Sequence, residues 1–283
     1  MSILSWNRLR VKRRFFFPLL AVFTLGAGCG KIPTAEPLPE YLTASPKVLK
    51  EQTLFSDAMN RTVKYSVWLP PTYDETKSYP VLYLLHGAEN DYPAYNMYDA
   101  TNAHMAWLDK GNLTRIATDY VRGGGELFVI VSPNGCPDGQ NVFYMDGDYK
   151  YGTFFLEEFI PHIEDKYHGN GKRAIAGLSM GGFGTLYHCF LHPEMWTYAY
   201  AMSPAVWWMD DMVKQSDPGR LPGITLEMGS EDATVSPASV ESFHALLESN
   251  NIRHEYISRS GGHTWSFWQG CLQKALKKIG ESF

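Results

Sequence analysis

The sequence lacks the features typical of proteins that bind nucleic acid or a zinc ion. It has four cysteines in 283 residues, and none of their spacings is that of a zinc site. Its 25 basic residues are fewer than its 30 acidic ones, and five of the basic residues lie within the first 29 positions, which contain no acidic residue. Without those positions the net charge falls from −5 to −10. This balance argues against a nucleic-acid partner, because phosphate binding requires clustered Lys and Arg.

Long hydrophobic runs are absent apart from one near the amino terminus. Residues 15–28 read FFFPLLAVFTLGAG and follow a basic stretch, which is the order of regions in a secretory signal peptide. The run is short for a membrane-spanning helix. We therefore expect residues 1–29 to be a signal peptide of the lipoprotein type, with Cys29 lipidated. The protein is then expected to be exported, periplasmic or at the cell surface, and to touch the membrane through the lipid anchor only.

The remainder divides into a linker and one large domain. Residues 30–52 contain four prolines and predict an extended linker. Residues 53–283 show no repeat or low-complexity segment, and the 45% apolar content of the chain is sufficient for one sizeable core. Two of Cys136, Cys189 and Cys271 could pair in an exported protein, or all three could be buried thiols. The sequence leaves these two possibilities open.

Short apolar runs alternate with helical patterns along this domain. Apolar or alternating stretches predict strands at 62–70, 79–87, 126–133, 173–177, 224–229 and 254–260. Apolar residues three or four positions apart predict helices at 114–121, 153–167 and 236–250. The alternation predicts an α/β fold with a mostly parallel central sheet and helices on both faces. Such sheets carry their functional residues at the carboxyl ends of the strands.

One serine stands between glycines after a predicted strand. The segment RAIAGLSMGGFG places Ser179 between Gly177 and Gly181 and before a helical pattern. The Gly-x-Ser-x-Gly pattern alone is a weak signal, since an ordinary glycine-rich turn also produces it. The strand–turn–helix context is that of a nucleophile elbow, in which the glycines avoid clashes and the serine hydroxyl is presented at the edge of the sheet. Ser179 is therefore the predicted nucleophile.

An acid and a base follow the serine at two further strand ends. Asp232 lies in GSEDATV after the strand at 224–229, with Glu231 beside it as an alternative. His263 lies in GGHTWSFW after the strand at 254–260, whereas His244 falls in a predicted helix and His254 opens a strand. Each residue taken alone could be an ordinary loop side chain. Their order and placement, serine then acid then histidine, predict a catalytic triad.

Four motifs together resemble a known family. YPVLYLLHG, AIAGLSMGGFG, GSED and GGHTWSFW look like the esterase D / carbohydrate esterase family 1 branch of the α/β-hydrolases, over roughly residues 55–283. That branch includes feruloyl esterases, acetylxylan esterases, S-formylglutathione hydrolases and mycolyltransferases of the antigen 85 type. The resemblance implies an α/β-hydrolase fold with Ser179 as nucleophile, Asp232 as orienting acid and His263 as general base. It also implies an oxyanion hole from the backbone N–H groups of Ala88 and Met180, and a reaction that needs no metal or organic cofactor.

Aromatic residues in the loops after the predicted strands indicate a class of substrate. Tyr95, Trp207 and Trp265 are candidate contacts for a phenolic acyl group or a sugar ring, although Trp265 and Trp268 beside the predicted base could equally pack their own loop. Only about twenty residues separate YAYAMSP from ITLEMG, so no large cap domain is expected. These features predict a feruloyl or acetyl esterase that acts on plant cell-wall polysaccharide or on feruloylated or acetylated oligosaccharides.

Three alternatives remain at this point. An acyltransferase of the antigen 85 type would use the same residues but pass the acyl group to an alcohol. A serine peptidase on the same fold is disfavoured because no propeller or cap domain is evident. A non-catalytic surface binding protein is disfavoured because serine, acid and histidine are all present. The sequence does not distinguish hydrolysis from acyl transfer, and it does not identify the acyl group.

Overall fold

A computed structural model describes residues 39–88 and 99–283. The strands are β1 (Lys47–Ser56), β2 (Arg61–Leu69), β3 (Tyr79–Leu85), β4 (Val129–Pro133), β5 (Gly169–Leu178), β6 (Tyr198–Met202), β7 (Gly223–Gly229) and β8 (Glu255–Arg259). The α-helices are α1 (Glu40–Thr43), α2 (Ala106–Asp109), α3 (Leu113–Arg122), α4 (Tyr151–Thr153), α5 (Ile160–Lys166), α6 (Met180–Leu191), α7 (Asp210–Gln215), α8 (Pro237–Ser249) and α9 (Trp265–Ser282). A π-helical stretch, Phe154–Phe159, joins α4 to α5, and 3-10 turns lie at Ala100–Met105, Pro137–Gly139 and Pro193–Met195.

The eight strands form one sheet in the order β1-β2-β4-β3-β5-β6-β7-β8. The pairs β1–β2 and β2–β4 are antiparallel, and every later pair in that order is parallel. The carboxyl ends of β3 and of β5 to β8 therefore meet at one edge of the sheet. The loops that leave this edge are the ones in which the sequence placed its candidate residues.

Helices cover both faces of the sheet, and each face has its own apolar core. On one face, side chains such as Tyr83 and Ile175 pack with Phe155, Leu186 and Phe243, which come from the π-helical stretch, α6 and α8. On the other face, side chains such as Leu82 and Ala176 pack with Trp107, Ile116 and Leu272, from α2, α3 and α9. Parallel strands buried on both faces read as continuous apolar runs, which is why VLYLL and AIAGL were visible in the sequence.

The predicted fold class is confirmed, and the six predicted strands and three predicted helices all occur with small shifts of their ends. Two strands, β1 and β6, and four helices, α1, α2, α7 and α9, were not predicted. Strand β1 lies at the edge of the sheet, is mostly exposed, and has a register shift between Leu49 and Gln52, so its apolar alternation is broken. Strand β6 has only five residues. Helix α9 does have an apolar face at helical spacing, so its signal was present in the sequence.

The predicted boundary between linker and domain is wrong. Residues 47–52 were assigned to the linker, but they belong to β1 and pair with β2. The domain therefore begins before residue 53, because an antiparallel edge strand needs little apolar content to be held by its neighbour. The expected signal peptide, Cys29 and the linker up to residue 38 lie outside the described residues.

No helix among the described residues is long and apolar enough to cross a membrane.

Candidate active site

Ser179 sits at the sharp turn between β5 and α6. Its φ of 54° and ψ of −114° lie outside the regions that a serine ordinarily adopts. Such conformations persist only where the surrounding structure enforces them, and they occur often at functional sites. An ordinary glycine-rich turn would place a glycine in this conformation and not the serine. The geometry matches the strained nucleophile turn that the sequence pattern predicted.

The flanking glycines are required by close packing. A Cβ atom on Gly177 would lie 2.3 Å from the carbonyl oxygen of Gly181, and a Cβ atom on Gly181 would lie 2.5 Å from the carbonyl oxygens of Leu85 and His86. Both contacts are with backbone atoms, which cannot move aside as a flexible side chain can. The helix therefore begins directly against the ends of β3 and β5. This approach fixes the position of the Ser179 backbone.

Asp232 lies in the loop between β7 and α8 and is almost completely buried. Its Oδ1 atom accepts hydrogen bonds from the backbone N–H groups of Thr234 and Val235, each at 2.9 Å. Its Oδ2 atom accepts from Nδ1 of His263 at 2.7 Å. Burial alone would raise the pKa of the Asp232 carboxyl, but the bonds from His263 and from the two backbone groups outweigh burial and lower this pKa. Asp232 is therefore held as a carboxylate.

His263 lies in the loop between β8 and α9, and the structure brings it directly to Asp232. Because Nδ1 donates its proton to the carboxylate, Nε2 of the neutral ring has its lone pair available as an acceptor. The ring also packs edge-on against Trp268, with centroids 4.7 Å apart and planes at 87°. Two contacts thus orient the imidazole, the hydrogen bond at Nδ1 and the packing against the Trp268 ring.

Glu231, the alternative acid, does not contact His263 in the described structure. Its carboxylate accepts hydrogen bonds from the backbone N–H of Gly261 and from the hydroxyl of Ser260. It therefore ties the end of β8 to the loop after β7, beside the histidine. Of the two adjacent acids, Asp232 is the one placed to orient the imidazole.

The segments that carry Ser179 and His263 are joined through the loop after β6. The N–H of Ser179 donates to the carbonyl of Met202 at 2.9 Å, and the N–H of Ala205 donates to the carbonyl of Ser179 at 3.2 Å. Ser203 lies between those two partners, and its Oγ atom accepts from Nε1 of Trp268 at 3.3 Å. Since Trp268 packs on His263, one chain of contacts connects the serine turn with the histidine loop. Serine, histidine and aspartate lie at the same edge of the sheet.

The predicted oxyanion donors lie on either side of Ser179. Met180 is the first residue of α6, where backbone N–H groups have no partner within the helix. On the other side, a Cβ atom on Gly87 would lie 3.5 Å from Cβ of Ser179, so the segment that leads to Ala88 passes next to the serine. Both donors are backbone N–H groups, one of the kinds of donor that form oxyanion holes.

His86 fixes the peptide group that carries the Ala88 N–H. Its Nε2 atom accepts from the N–H of Gly135 at 2.8 Å, so Nδ1 carries the proton and donates to the carbonyl of Gly87 at 2.6 Å. In a planar trans peptide the N–H points opposite to the carbonyl, so the N–H of Ala88 faces away from His86. Burial lowers the pKa of His86 to about 4, so the ring stays neutral. His86 therefore has a structural role, since it holds the Gly87–Ala88 peptide.

The three predicted substrate contacts have different surroundings. Tyr95 lies outside the described residues. Trp207 is 49% exposed, with its ring 6.1 Å from that of Phe143. Trp265 packs edge-on against Trp107 and Trp268, with centroids 5.4 and 5.3 Å away, so much of its surface serves packing. Of the two tryptophans beside the base, Trp268 contacts the imidazole.

Two residues of the site were not identified from the sequence. Ser203 follows β6, and its position at a strand end would have been apparent had that short strand been predicted. Tyr144 donates its hydroxyl to the carbonyl of His86 at 3.0 Å and has a φ of 59°, but nothing in the sequence around it indicates this. Among the described residues, no group of three or more His, Cys, Asp or Glu side chains is placed to hold a metal ion.

The known proteins to which this chain is similar include esterases. A family model with the description "Putative esterase" matches residues 56–279. An endo-1,4-beta-xylanase/feruloyl esterase of Xylanibacter ruminicola is 24% identical over 253 residues, which are 82% of this chain and 31% of that protein. The chain thus spans about a third of the length of that relative.

Solved structures with the same fold include two ferulic acid esterases. One is 28% identical, with a TM-score of 0.72 over 84% of this chain and 98% of the other. The second is a CE1 ferulic acid esterase from Anaeromyces mucronatus in complex with ferulic acid. It is 21% identical, with a TM-score of 0.68 over 84% of this chain and 92% of the other. At that identity the second likeness establishes the fold alone.

Proposed function

The chain belongs to this esterase family, and from that membership we propose that Ser179, His263 and Asp232 are the catalytic triad with which it hydrolyses a carboxylic ester. It is an esterase of the serine-hydrolase type with the α/β-hydrolase fold. The observation that carries the assignment of residues is the 2.7 Å hydrogen bond from His263 to Asp232. That bond lies at the edge of the sheet where Ser179 holds its strained conformation.

Acylation begins with attack of the Ser179 Oγ on the ester carbonyl. Nε2 of His263 accepts the hydroxyl proton, and the buried carboxylate of Asp232 stabilises the imidazolium that forms. Negative charge then develops on the carbonyl oxygen. The N–H groups of Ala88 and Met180 stabilise this charge, and removal of one such donor costs about 10²–10³-fold in kcat. His263 returns the proton to the departing alcohol, which leaves an acyl-enzyme on Ser179.

Deacylation repeats these steps with water as the nucleophile. His263 takes a proton from water as its oxygen attacks the acyl carbonyl, and it then gives the proton back to Ser179 Oγ as the acid departs. The two half-reactions use the same donors and the same base. The enzyme thus returns to its starting state with one ester bond exchanged for an acid and an alcohol.

The proposed substrates are feruloyl or acetyl esters of plant cell-wall polysaccharide. Support comes from the relative that is an endo-1,4-beta-xylanase/feruloyl esterase and from the similar structure of a ferulic acid esterase. Exposed aromatic side chains after β6, Trp207 and Trp208, can pack against a phenolic ring or a sugar ring.

A panel of esters tests the reaction and the acyl group together. The panel contains methyl ferulate, feruloylated arabinoxylan oligosaccharides, acetylated xylan and p-nitrophenyl acetate. We expect turnover of a feruloyl or an acetyl polysaccharide ester, and Ser179→Ala should lower kcat by at least about 10⁴-fold. Activity on p-nitrophenyl acetate alone would contradict the substrate class. A fluorophosphonate probe should label the wild type and spare Ser179→Ala, and equal labelling of both would remove Ser179 as the nucleophile.

Export with a lipid on Cys29 is a separate part of the proposal. It rests on the basic stretch and the apolar run that precede Cys29 in the sequence. Radiolabelled palmitate fed to expressing bacteria should be incorporated into the wild type and not into Cys29→Ala, with the wild type in the membrane fraction. Equal fractionation of the two proteins would contradict lipidation at this residue.

A further inference from the structure

The loop between β6 and α7 presents two adjacent tryptophans to solvent. Trp207 is 49% exposed and Trp208 is 77% exposed. An indole ring carries a large apolar surface, and exposed aromatic clusters with a polar rim mark binding sites. The first residues of this loop are bonded to the serine turn, because the N–H of Ala205 donates to the carbonyl of Ser179. Trp207 and Trp208 therefore follow closely after Ala205, the residue that bonds this loop to the serine turn.

Trp208 lines a cleft with the loop at residues 140–149. The cleft has a volume of about 270 Å³, near the lower limit for small-molecule sites and thus suited to a group of monosaccharide size. Its lining includes Gln140, Asn141, Phe143, Asp148, Tyr149 and Trp208. Phe143 connects the cleft with the helix that follows the serine. Its ring packs edge-on against Phe183 of α6, 5.4 Å between centroids, and the N–H of Phe183 donates to the carbonyl of Ser179 at 3.0 Å.

Several contacts fix the aromatic walls before any ligand binds. The guanidinium carbon of Arg61 lies 4.4 Å from the ring centroid of Tyr149, and Arg61 is itself paired with Asp138. Trp208 and Phe143 have φ values of 60° and 51°, which are unfavourable for bulky residues. Strained backbone of this kind is retained at binding sites more often than elsewhere. Tyr149 is thus held against Arg61, and Phe143 and Trp208 extend from constrained backbone.

The polar groups of the cleft select the chemistry of the ligand. The amide of Gln140 offers donors and an acceptor to hydroxyl groups, and the carboxylate of Asp148 offers acceptors. The carboxylate disfavours a second anion such as a phosphate, and the chain has a net charge of −5. A neutral ring with one apolar face and hydroxyls at its edge can pack against the aromatic side chains and hydrogen-bond to the polar ones. Sugars have this form.

We propose that Phe143, Tyr149, Trp207 and Trp208 form a saccharide platform that binds the sugar on the alcohol side of the scissile ester. The proposal rests on the proposed esterase function and extends it, because it makes the carbohydrate a recognised part of the substrate. An ester of an oligosaccharide then gains binding energy that the methyl ester of the same acid cannot obtain.

Kinetics on two esters of one acid test the platform. Wild type, Trp208→Ala and Phe55→Ala are compared on methyl ferulate and on a feruloylated arabinoxylan oligosaccharide. Phe55 is the matched control, since it is 54% exposed but lies on β1 at the far edge of the sheet. For Trp208→Ala we expect the ratio of kcat/KM on the oligosaccharide to that on methyl ferulate to fall about tenfold, through KM. For Phe55→Ala we expect the ratio to keep its wild-type value.

A binding measurement separates this inference from the esterase function. Calorimetric titration of unesterified arabinoxylan oligosaccharide into Ser179→Ala should give a measurable Kd, and the added Trp208→Ala change should weaken it about tenfold. We expect this binding of the oligosaccharide even if the enzyme turns over no feruloyl ester. That kinetic result would reject the proposed substrate and not the platform. The platform is overturned if the two ester activities of Trp208→Ala fall equally, or if the oligosaccharide does not bind. It is also overturned if sedimentation shows a dimer that Trp208→Ala dissociates, since the tryptophans then join two copies of the chain.

Discussion

Two carboxylates five positions apart, Glu227 and Asp232, have different hydrogen-bond partners. Glu227 lies within β7 and is completely buried, and its Oε1 atom accepts from Nε of Arg259 at 2.5 Å and from Nζ of Lys274 at 2.7 Å. Its Oε2 atom accepts from the hydroxyl of Tyr200. Asp232, in the loop that follows, is held by two backbone N–H groups and one imidazole.

The difference indicates that Glu227 stabilises the fold, whereas Asp232 takes part in catalysis. Burial alone would raise the pKa of each group, and hydrogen bonds outweigh burial and lower it in both. At Glu227 those bonds come from Lys274, Tyr200 and Arg259, and two of these partners are permanent cations. At Asp232 the one titratable partner is a histidine whose second nitrogen remains available. A carboxylate with two fixed cations has no proton to direct, whereas Asp232 can direct the proton of its imidazole.

The largest expected effect is on catalysis, at Asp232. Asp232→Asn should lower kcat on p-nitrophenyl acetate by about 10⁴-fold, because an amide no longer fixes the required tautomer of His263 or stabilises its charged form. Steady-state kinetics with a matched melting curve measures both effects. The neighbouring Glu231→Gln keeps an oxygen for the Gly261 N–H and should lose less than about tenfold. Equal losses in the two variants would show that the comparison assigns the wrong acid.

The next effect is on stability, at Glu227. Glu227→Gln should reduce the free energy of unfolding by about 2 kcal/mol, below the range for a fully buried pair because Arg259 and Lys274 both reach solvent. Its kcat should stay within about threefold of wild type. Guanidinium unfolding followed by circular dichroism measures the change. The control is Glu255→Gln. Glu255 lies on β8 and forms an exposed ion pair with Lys278, so its loss should reduce the free energy of unfolding by less than about 0.5 kcal/mol.

The same variant should show a distinctive pH dependence. A carboxyl with a lowered folded pKa contributes stability that is present above its unfolded pKa of about 4 and is lost as pH falls through the folded value. The gap in Tm between wild type and Glu227→Gln should therefore be widest near neutral pH and should narrow in acid. The neutral rings of His86 and His188, each with a pKa lowered to about 4 by burial, destabilise both proteins equally between about pH 6.5 and 4. A gap that stays constant with pH would show that Glu227 acts through packing and not through its charge.

The smallest expected effect is on kcat, at Arg259, which connects Glu227 with the loop that carries His263. Besides its bond to Glu227, Arg259 donates from Nη2 to the carbonyl of Phe267 at 2.9 Å and lies 3.8 Å above that ring. Arg259 and Phe267 stand at the two ends of the loop that carries His263. Arg259→Lys keeps the charge but loses the second donor, so we expect kcat to fall about two- to fivefold with little change in KM. No change in kcat would mean that the buried ion pairs do not position the histidine.

The sequence was sufficient for the strands that are buried on both faces and for the residues that follow them. VLYLL, AIAGL and ITLEM are visible because both of their faces are apolar or nearly so, and Ser179 and Asp232 were found by their position after such runs. His263 was found by its position after β8, a strand at the edge of the sheet with no buried residue. The choice between Asp232 and Glu231 required the geometry of the turn, since both follow the same strand.

The interior charges could not be predicted for a related reason. Glu227 in ITLEMG reads as one polar residue in an apolar run, and its cation partners stand 32 and 47 positions later. Lys274 and Trp268 both belong to α9, which was not predicted, so the partners of these two side chains were not apparent. Without that helix the sequence could not show which tryptophan touches the imidazole. Long-range pairing across a sheet and a helix is a property of the fold and leaves no local pattern.

The edge-on contact of Trp268 with His263 supplies a natural optical reporter. Ser203 joins Trp268 to the loop that is bonded to the Ser179 turn, so an acyl group on Ser179 should change the surroundings and the emission of this one tryptophan. A stopped-flow trace of unlabelled enzyme, read against Trp268→Phe as the blank, would then record acylation and deacylation in real time with substrates that have no chromophore.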